Sequence, residues 1–239
     1  MGTIIKKVDR VSTIEEAIKL EDLGVEIIGI SLSQDPKFND SRVLSEESAS
    51  EIIEVLKSSK SVAEIFIKDD LNKTIDLIEK LEIDYVQPVG HQIPSIEFRK
   101  ELSKREIGII YSNIEASYDD DPSWIFGRFI DEDNLNSSYY QIDLLGDMEN
   151  SWEFFKEECP KYPEELQIQD INELAKQYPL LITLDYSPEN ILEIINLMPN
   201  IKGITMVLGD DSLRNDIHYF KYSEVLNILD KLSLPNLGD

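Results

Sequence analysis

Ile4-Ile5-Lys6-Lys7-Val8-Asp9-Arg10-Val11-Ser12-Thr13-Ile14-Glu15-Glu16-Ala17-Ile18-Lys19-Leu20-Glu21-Asp22-Leu23-Gly24-Val25-Glu26-Ile27-Ile28-Gly29-Ile30-Ser31-Leu32 reads as a strand, a helix and a second strand in direct succession. Ile4 and Ile5 begin an apolar run toward Asp9. Ser12-Thr13-Ile14-Glu15 has the make-up of a capping box, a hydroxyl followed two or three residues later by an acid, which opens a helix through Leu23. Gly24 sits where a helix ends, and Val25 to Leu32 is rich in the β-branched residues that favour a strand.

The same alternation continues toward the C-terminus. Strands are predicted at Val62 to Ile67, Ile83 to Gln87, Glu106 to Tyr111, Tyr139 to Leu145, Leu180 to Leu184 and Ile204 to Leu208. Helical spacing of apolar residues follows at Ile52, Ile53 and Leu56 behind a Ser45-Glu46-Glu47 start, and at Ile75, Leu77, Ile78 and Leu81. Helices are also predicted over Ser95 to Lys104, from Ser187-Pro188-Glu189-Asn190 to Leu197, and over Tyr222 to Leu232. The signal is weak from Glu115 to Asn136, where an acidic turn Asp119-Asp120-Asp121-Pro122 precedes a short helix around Ile125. Trp152-Glu153-Phe154-Phe155 starts a helix that Pro160 and Pro163 break. Eight strand-like runs, each with helical sequence after it, fit a single (β/α)8 TIM barrel over residues 1–239. A doubly wound sheet is the competing layout, because periodicity cannot count closure.

Composition narrows the function. Lys and Arg number 23 against 48 Asp and Glu, a net charge of −25, which disfavours nucleic acid and anionic membranes as partners. No apolar run reaches the roughly 18 residues of a membrane span. Met1-Gly2-Thr3-Ile4-Ile5-Lys6-Lys7 lacks the apolar core of a signal peptide and has Lys6 where a myristoylation signal takes Ser or Thr. With Cys159 the only cysteine, no intrachain disulfide or thiolate cluster is available, and a cytoplasmic protein is expected. His91 and His218 are too isolated to form a metal motif, and no phosphate-binding loop or zinc spacing occurs, so neither metal nor cofactor is expected.

Several stretches resemble the phosphoribosylanthranilate isomerase family, the barrel enzymes of tryptophan synthesis. Lys7-Val8-Asp9-Arg10-Val11-Ser12 lines up with that family's Lys-Ile-Cys-Gly-Ile-Thr, and Asp84-Tyr85-Val86-Gln87-Pro88-Val89-Gly90 with its Asp-Tyr-Val-Gln-Leu-His-Gly. The loop ending Ser41-Arg42-Val43-Leu44-Ser45 and the segment Ser187-Pro188-Glu189-Asn190-Ile191 also correspond, in the same order along the chain. The resemblance implies an Amadori rearrangement of an N-linked aldose phosphate, in which an acid protonates the ring oxygen and a base removes the C2 proton. It implies Asp9, in the place of the family's Cys, as the base, and Asp143 at strand six as the acid. Lys7, Arg42, Gln87, Asp185 and Gly209 become substrate-binding residues on the same grounds, Arg42 opposite a carboxylate.

The departures fall on functional positions. Asp has a reference pKa of about 3.9 against about 8.5 for Cys, so Asp9 needs burial or a second carboxylate to become a useful base. The plain alternative is that Asp9 pairs with Lys7 or Arg10. Asp185, Asp210 and Asp211 stand where the family grips phosphate with Gly-rich loops; they either repel a phosphate or hold it through a cation, or they simply cap helices. Two functions are therefore carried forward for a monomer or homodimer with a small-molecule substrate. One is a divergent, phosphoribosylanthranilate isomerase-like barrel enzyme; the other is a catalytically inactive barrel that binds a small molecule or a partner.

Overall fold

Along β1 (Ile5–Asp9), the period-two alternation of a strand puts Ile5, Lys7 and Asp9 on one face and Lys6 and Val8 on the other. The computed structural model, which describes residues 4–39, 41–67 and 71–233, applies this alternation to a closed sheet. The Met1-Gly2-Thr3 start of the segment read for targeting signals lies outside the described residues. β2 (Ile27–Ser31), β3 (Lys60–Ile65), β4 (Tyr85–Pro88), β5 (Gly108–Ala116), β6 (Ser137–Leu144), β7 (Leu180–Thr183) and β8 (Gly203–Val207) follow β1, each parallel to the next. The sheet closes where Lys7 pairs with Thr205 and Asp9 with Val207, so it is a barrel and not an open doubly wound sheet.

Residues on the outward face, among them Val8, Ile28, Ala63, Val86, Ile142, Ile182 and Ile204, join one apolar cluster with the surrounding helices. Inside, Ile27, Val62 and Ile110 pack with Ile5, Tyr85 and Tyr139 to seal the N-terminal end of the lumen. This two-sided burial is what a parallel strand requires. Above that floor the lumen is polar.

α1 (Ile14–Asp22) starts from Thr13, whose hydroxyl accepts the Glu16 N–H at 3.1 Å, while the Glu16 carboxylate accepts the Ser12 N–H at 2.9 Å. The capping acid is thus Glu16, one residue beyond the expected Glu15, because the third helical position follows from Thr13. α2 (Glu46–Glu54), α3 (Leu71–Lys80) and α4 (Ile96–Lys104) lie where the spacing puts them. Between β5 and β6 the expected helix is reduced to a single 3-10 turn, Gly127–Phe129. Aromatic packing takes its place: Phe126 stacks on Tyr178 with centroids 4.1 Å apart, and Phe129 meets Tyr111 and Tyr140 edge to face.

After β6, α5 (Ser151–Glu153) runs into a π turn, Phe154–Glu158, and a 3-10 turn ending at Lys161. α6 (Ile168–Gln177) was not expected; its start is a capping box of Gln167 with Asp170, and Ile171, Leu174 and Ala175 face the barrel. α7 (Ile191–Leu197) and α8 (Tyr222–Ser233) complete the ring. Trp152 and Phe155 are core residues, whereas Trp124 is 74% exposed. Cys159 is buried, and burial pushes its thiol pKa up to about 11, which leaves it unreactive. Among the described residues no helix is long and apolar enough to cross a membrane.

Candidate active site

Lys7 is fully buried in the lumen, where its ammonium donates to Asp9 Oδ1, to Gln87 Oε1 at 2.9 Å and to Gln141 Oε1 at 2.8 Å. Its three protons thus have three acceptors, from β1, β4 and β6. Burial pulls the Lys7 pKa below its ordinary value, against the opposing pull of Asp9. The Asp9 carboxylate lies across β2 because Gly29 has no side chain: a Cβ there would stand 2.2 Å from Asp9 Oδ1. Asp9 Oδ2, also buried, has no hydrogen-bond partner.

The next residue, Arg10, adopts φ +65°, the left-handed conformation that favours glycine. The resemblance put a glycine here, and the backbone keeps the shape that glycine suits. Arg10 is held in it by its own side chain. Its Nε donates to the Leu208 carbonyl at 2.9 Å, its Nη2 pairs with Asp211 at 3.3 Å, and its guanidinium lies 3.6 Å over the Phe38 ring.

Glu64, at the C-terminal end of β3, was not singled out in the sequence. Its Oε2 accepts the Ser31 hydroxyl at 2.6 Å, and burial, reinforced by Asp35 and Asp9, pushes its pKa up to about 7. A carboxylate in the apolar run Val62-Ala63-Glu64-Ile65, on the face of Val62, was the available signal.

On the opposite side, Asp143 of β6 accepts the His218 backbone N–H at 3.0 Å and faces His218 Nδ1 at 2.7 Å. His218 Nε2 lies 2.8 Å from the Ser151 hydroxyl, which donates to Asp185 Oδ1 at 2.8 Å. Burial disfavours charge on His218, but Asp143, with Asp185 and Asp147, outweighs it and raises the pKa. Since Ser151 spends its proton on Asp185, His218 must supply the one in the His–Ser contact, and the ring carries protons on both nitrogens. Ser151 is also fully buried, so the Asp–His–Ser order here is not a hydrolytic triad.

Asp9, Glu64, Gln87, Gln141, Asp143 and His218 line one pocket of about 500 Å³, measured out to solvent, at the C-terminal end of the barrel. The β2–α2 loop crosses above it. Leu213 N–H donates to the Lys37 carbonyl at 2.7 Å, and Lys37 Nζ pairs with Glu115 at 2.8 Å.

Of the residues expected to act, Asp9, Gln87 and Asp143 come together in this mouth, and Lys7 is buried in the lumen against Asp9 and Gln87. Arg42 does not line it: its guanidinium bonds Glu16 and Ser12 Oγ at 3.0 Å and the Arg10 carbonyl at 3.2 Å, fastening the start of α1. Asp185 holds Ser151 and the Trp152 N–H. Gly209 gives its N–H to the Phe220 carbonyl at 3.2 Å, and a Cβ there would lie 2.2 Å from the Phe38 ring. Among the described residues, no group of three or more His, Cys, Asp or Glu side chains is placed to hold a metal ion.

The chain matches no protein-family model and no curated protein sequence. Its fold is nevertheless similar to solved phosphoribosylanthranilate isomerases. The Thermotoga maritima structure has a TM-score of 0.65 at 16% identity, and the Pyrococcus furiosus structure 0.64 at 15%. An isomerase in complex with reduced 1-(o-carboxyphenylamino)-1-deoxyribulose 5-phosphate also reaches 0.65, at 15% identity. Each alignment covers 96% of this chain and 98% of the other. At these identities the likeness is one of fold.

Proposed function

We propose that the barrel mouth catalyses an acid/base isomerisation of the Amadori type, converting an N-linked aldose into an aminoketose. The observation that carries this reading is the buried, unpartnered Oδ2 of Asp9, held beside the Lys7 ammonium in a pocket that also contains the Asp143–His218 pair. Asp9 is the base that takes the C2 proton. Lys7 donates to its Oδ1 and steadies the carboxylate before transfer, while Gln87 and Gln141 accept from Lys7 and hold that ammonium in place. Asp143, loaded by the doubly protonated His218 behind it, is the acid that delivers a proton to the ring oxygen. The C1–O bond then opens as the proton leaves C2, and the enaminol so formed takes a proton at C1 and gives up the C2 hydroxyl proton to become the aminoketose. Glu64, with a pKa of about 7, exchanges protons with the mouth near neutrality.

The fold likeness supports this assignment, since one neighbour is in complex with the reduced form of an aminoketose phosphate of this type. A second reading, a barrel that binds without turnover, is favoured by one feature: both Asp143 oxygens are already occupied by His218. Conversion of N-phenylribosylamine, with and without its 5-phosphate, to the aminoketose separates the two readings. Asp9→Asn and Asp143→Asn should each lower kcat by about 10²–10⁴-fold, Asp143→Asn with a melting temperature near that of the parent and Asp9→Asn with a lower one, because it leaves the buried Lys7 ammonium without its counter-ion. No conversion by the parent chain would leave the binding reading.

A further inference from the structure

We infer that the ligand of this mouth is an N-linked sugar without a phosphate group, which presents hydroxyl or N–H donors to Asp9 and Glu64. The inference rests on the proposed function and concerns its substrate.

Barrels that take phosphorylated ligands commonly grip the phosphate with backbone N–H groups after strands seven and eight and with a helix N-terminus. Here several of those donors are spent within the chain. Tyr186 N–H bonds the Leu184 carbonyl at 2.8 Å, Leu208 N–H the Asp9 carbonyl at 3.1 Å, Gly209 N–H the Phe220 carbonyl at 3.2 Å and Ser212 N–H the Gly209 carbonyl at 3.1 Å. Trp152 N–H, at the start of α5, already meets the Asp185 carboxylate at 2.8 Å. The pocket wall beneath these loops is Thr183, Val207 and Ile217, which offers methyl groups to a ligand.

Charge points the same way. Each cation lining the mouth faces a carboxylate, Arg10 with Asp211, Lys37 with Glu115 and His218 with Asp143, and the Lys7 ammonium buried in the lumen is paired with Asp9. Asp35 and Glu64 add two further carboxyl groups to the lining. A phosphate dianion would enter a site with no unmatched positive side chain among these and an excess of negative ones. The unmet need is the opposite one: the Asp9 side chain is 7% exposed and its Oδ2 has no donor, which a sugar hydroxyl or an amine N–H would supply.

The test is calorimetric binding of 1-anilino-1-deoxyribulose and of its 5-phosphate to the whole chain, with inorganic phosphate as a competitor. The unphosphorylated compound should bind at least about tenfold tighter, a difference of about 1.4 kcal/mol. That ratio should shrink as salt rises from about 0.01 M to about 1 M and the Debye length falls from about 30 Å to about 3 Å. Tighter binding of the 5-phosphate, or displacement by inorganic phosphate, overturns the inference and leaves the isomerase reading standing. A preference that ignores salt overturns its electrostatic basis. Binding of neither compound removes both the inference and the reading beneath it.

Discussion

Glu64 is a lumen residue whose ionisation is constrained by burial. In the folded chain its pKa is raised to about 7 from an ordinary 4.5, so folding takes up a proton there between those values. Its favourable contribution is complete below about pH 4.5 and is lost as pH rises through about 7. Glu64→Gln keeps the shape and an acceptor for Ser31 but removes the buried charge. It should stabilise the protein relative to the parent by on the order of 1–3 kcal/mol above neutrality and by much less near pH 5, read from urea unfolding at several pH values. Equal effects at all pH values would show that Glu64 is not held near pH 7. His218 offers a second test, because the chain has only His91 beside it. Nitrogen-15 spectra near neutral pH should show both His218 ring nitrogens protonated; a neutral tautomer would break the Asp143–His218–Ser151–Asp185 proton count. The link to stability has the same sign: the raised pKa favours the fold below the ordinary value of 6.5 and stops doing so above the folded value.

At the scale of elements, what was legible in the sequence follows from how local each signal is. The strand–helix–strand unit from Ile4 to Leu32 was readable because caps, Gly24 and the β-branched run act over a few residues. α6 has little local signal beyond the Gln167–Asp170 cap, and Pro160 and Pro163 just before it mark only a break. They end the preceding turns and leave Ile168 onward free to start afresh. The β5–β6 connection misled in the other direction. Its stability comes from Phe126 and Phe129 packing on Tyr178, Tyr140 and Tyr111, contacts that periodicity cannot show. Glu21 illustrates a further long-range tie. From α1 it accepts the N–H groups of Lys57, Ser58 and Ser59 at 3.0, 2.8 and 2.7 Å, and despite some burial these bonds lower its pKa to about 2. Glu21→Ala should cost about 1.5–3 kcal/mol near neutrality by the usual worth of bonds to a charged acceptor, measured by chemical denaturation. The deficit should fade as pH falls from about 4.5, where the unfolded chain takes up the proton, and vanish through about 2, where the folded carboxylate does. A loss under about 0.5 kcal/mol, the range of an ordinary surface change, would show that the three bonds do not hold the α2–β3 connection.

For the molecule as a whole, the barrel and the site have different origins. The eight alternating strand and helix units are displayed openly in the sequence, whereas closure rests on the long-range pairing of β1 with β8, which periodicity does not show. The site needs side chains from β1, β3, β4 and β6 to converge on one lumen layer, and that layer was half visible. Lys7, Asp9, Gln87 and Asp143 were found because they sit on recognisable stretches. Glu64 and His218 were not, since neither has a local pattern around it, and Arg42 proved to brace α1 instead of reaching the mouth. The net charge of −25 belongs to this scale as well: it sets the sign of the field around the mouth, which no single residue determines.

The central claim is that Asp9 moves the C2 proton of an N-linked aldose. Turnover of N-phenylribosylamine in D₂O, followed by proton NMR, tests it most directly. The account predicts an aminoketose carrying deuterium at C1, formed by the parent chain and slowed by about 10²–10⁴-fold in Asp9→Asn. Aminoketose formed at the same rate by Asp9→Asn, or none formed by the parent chain, would contradict it.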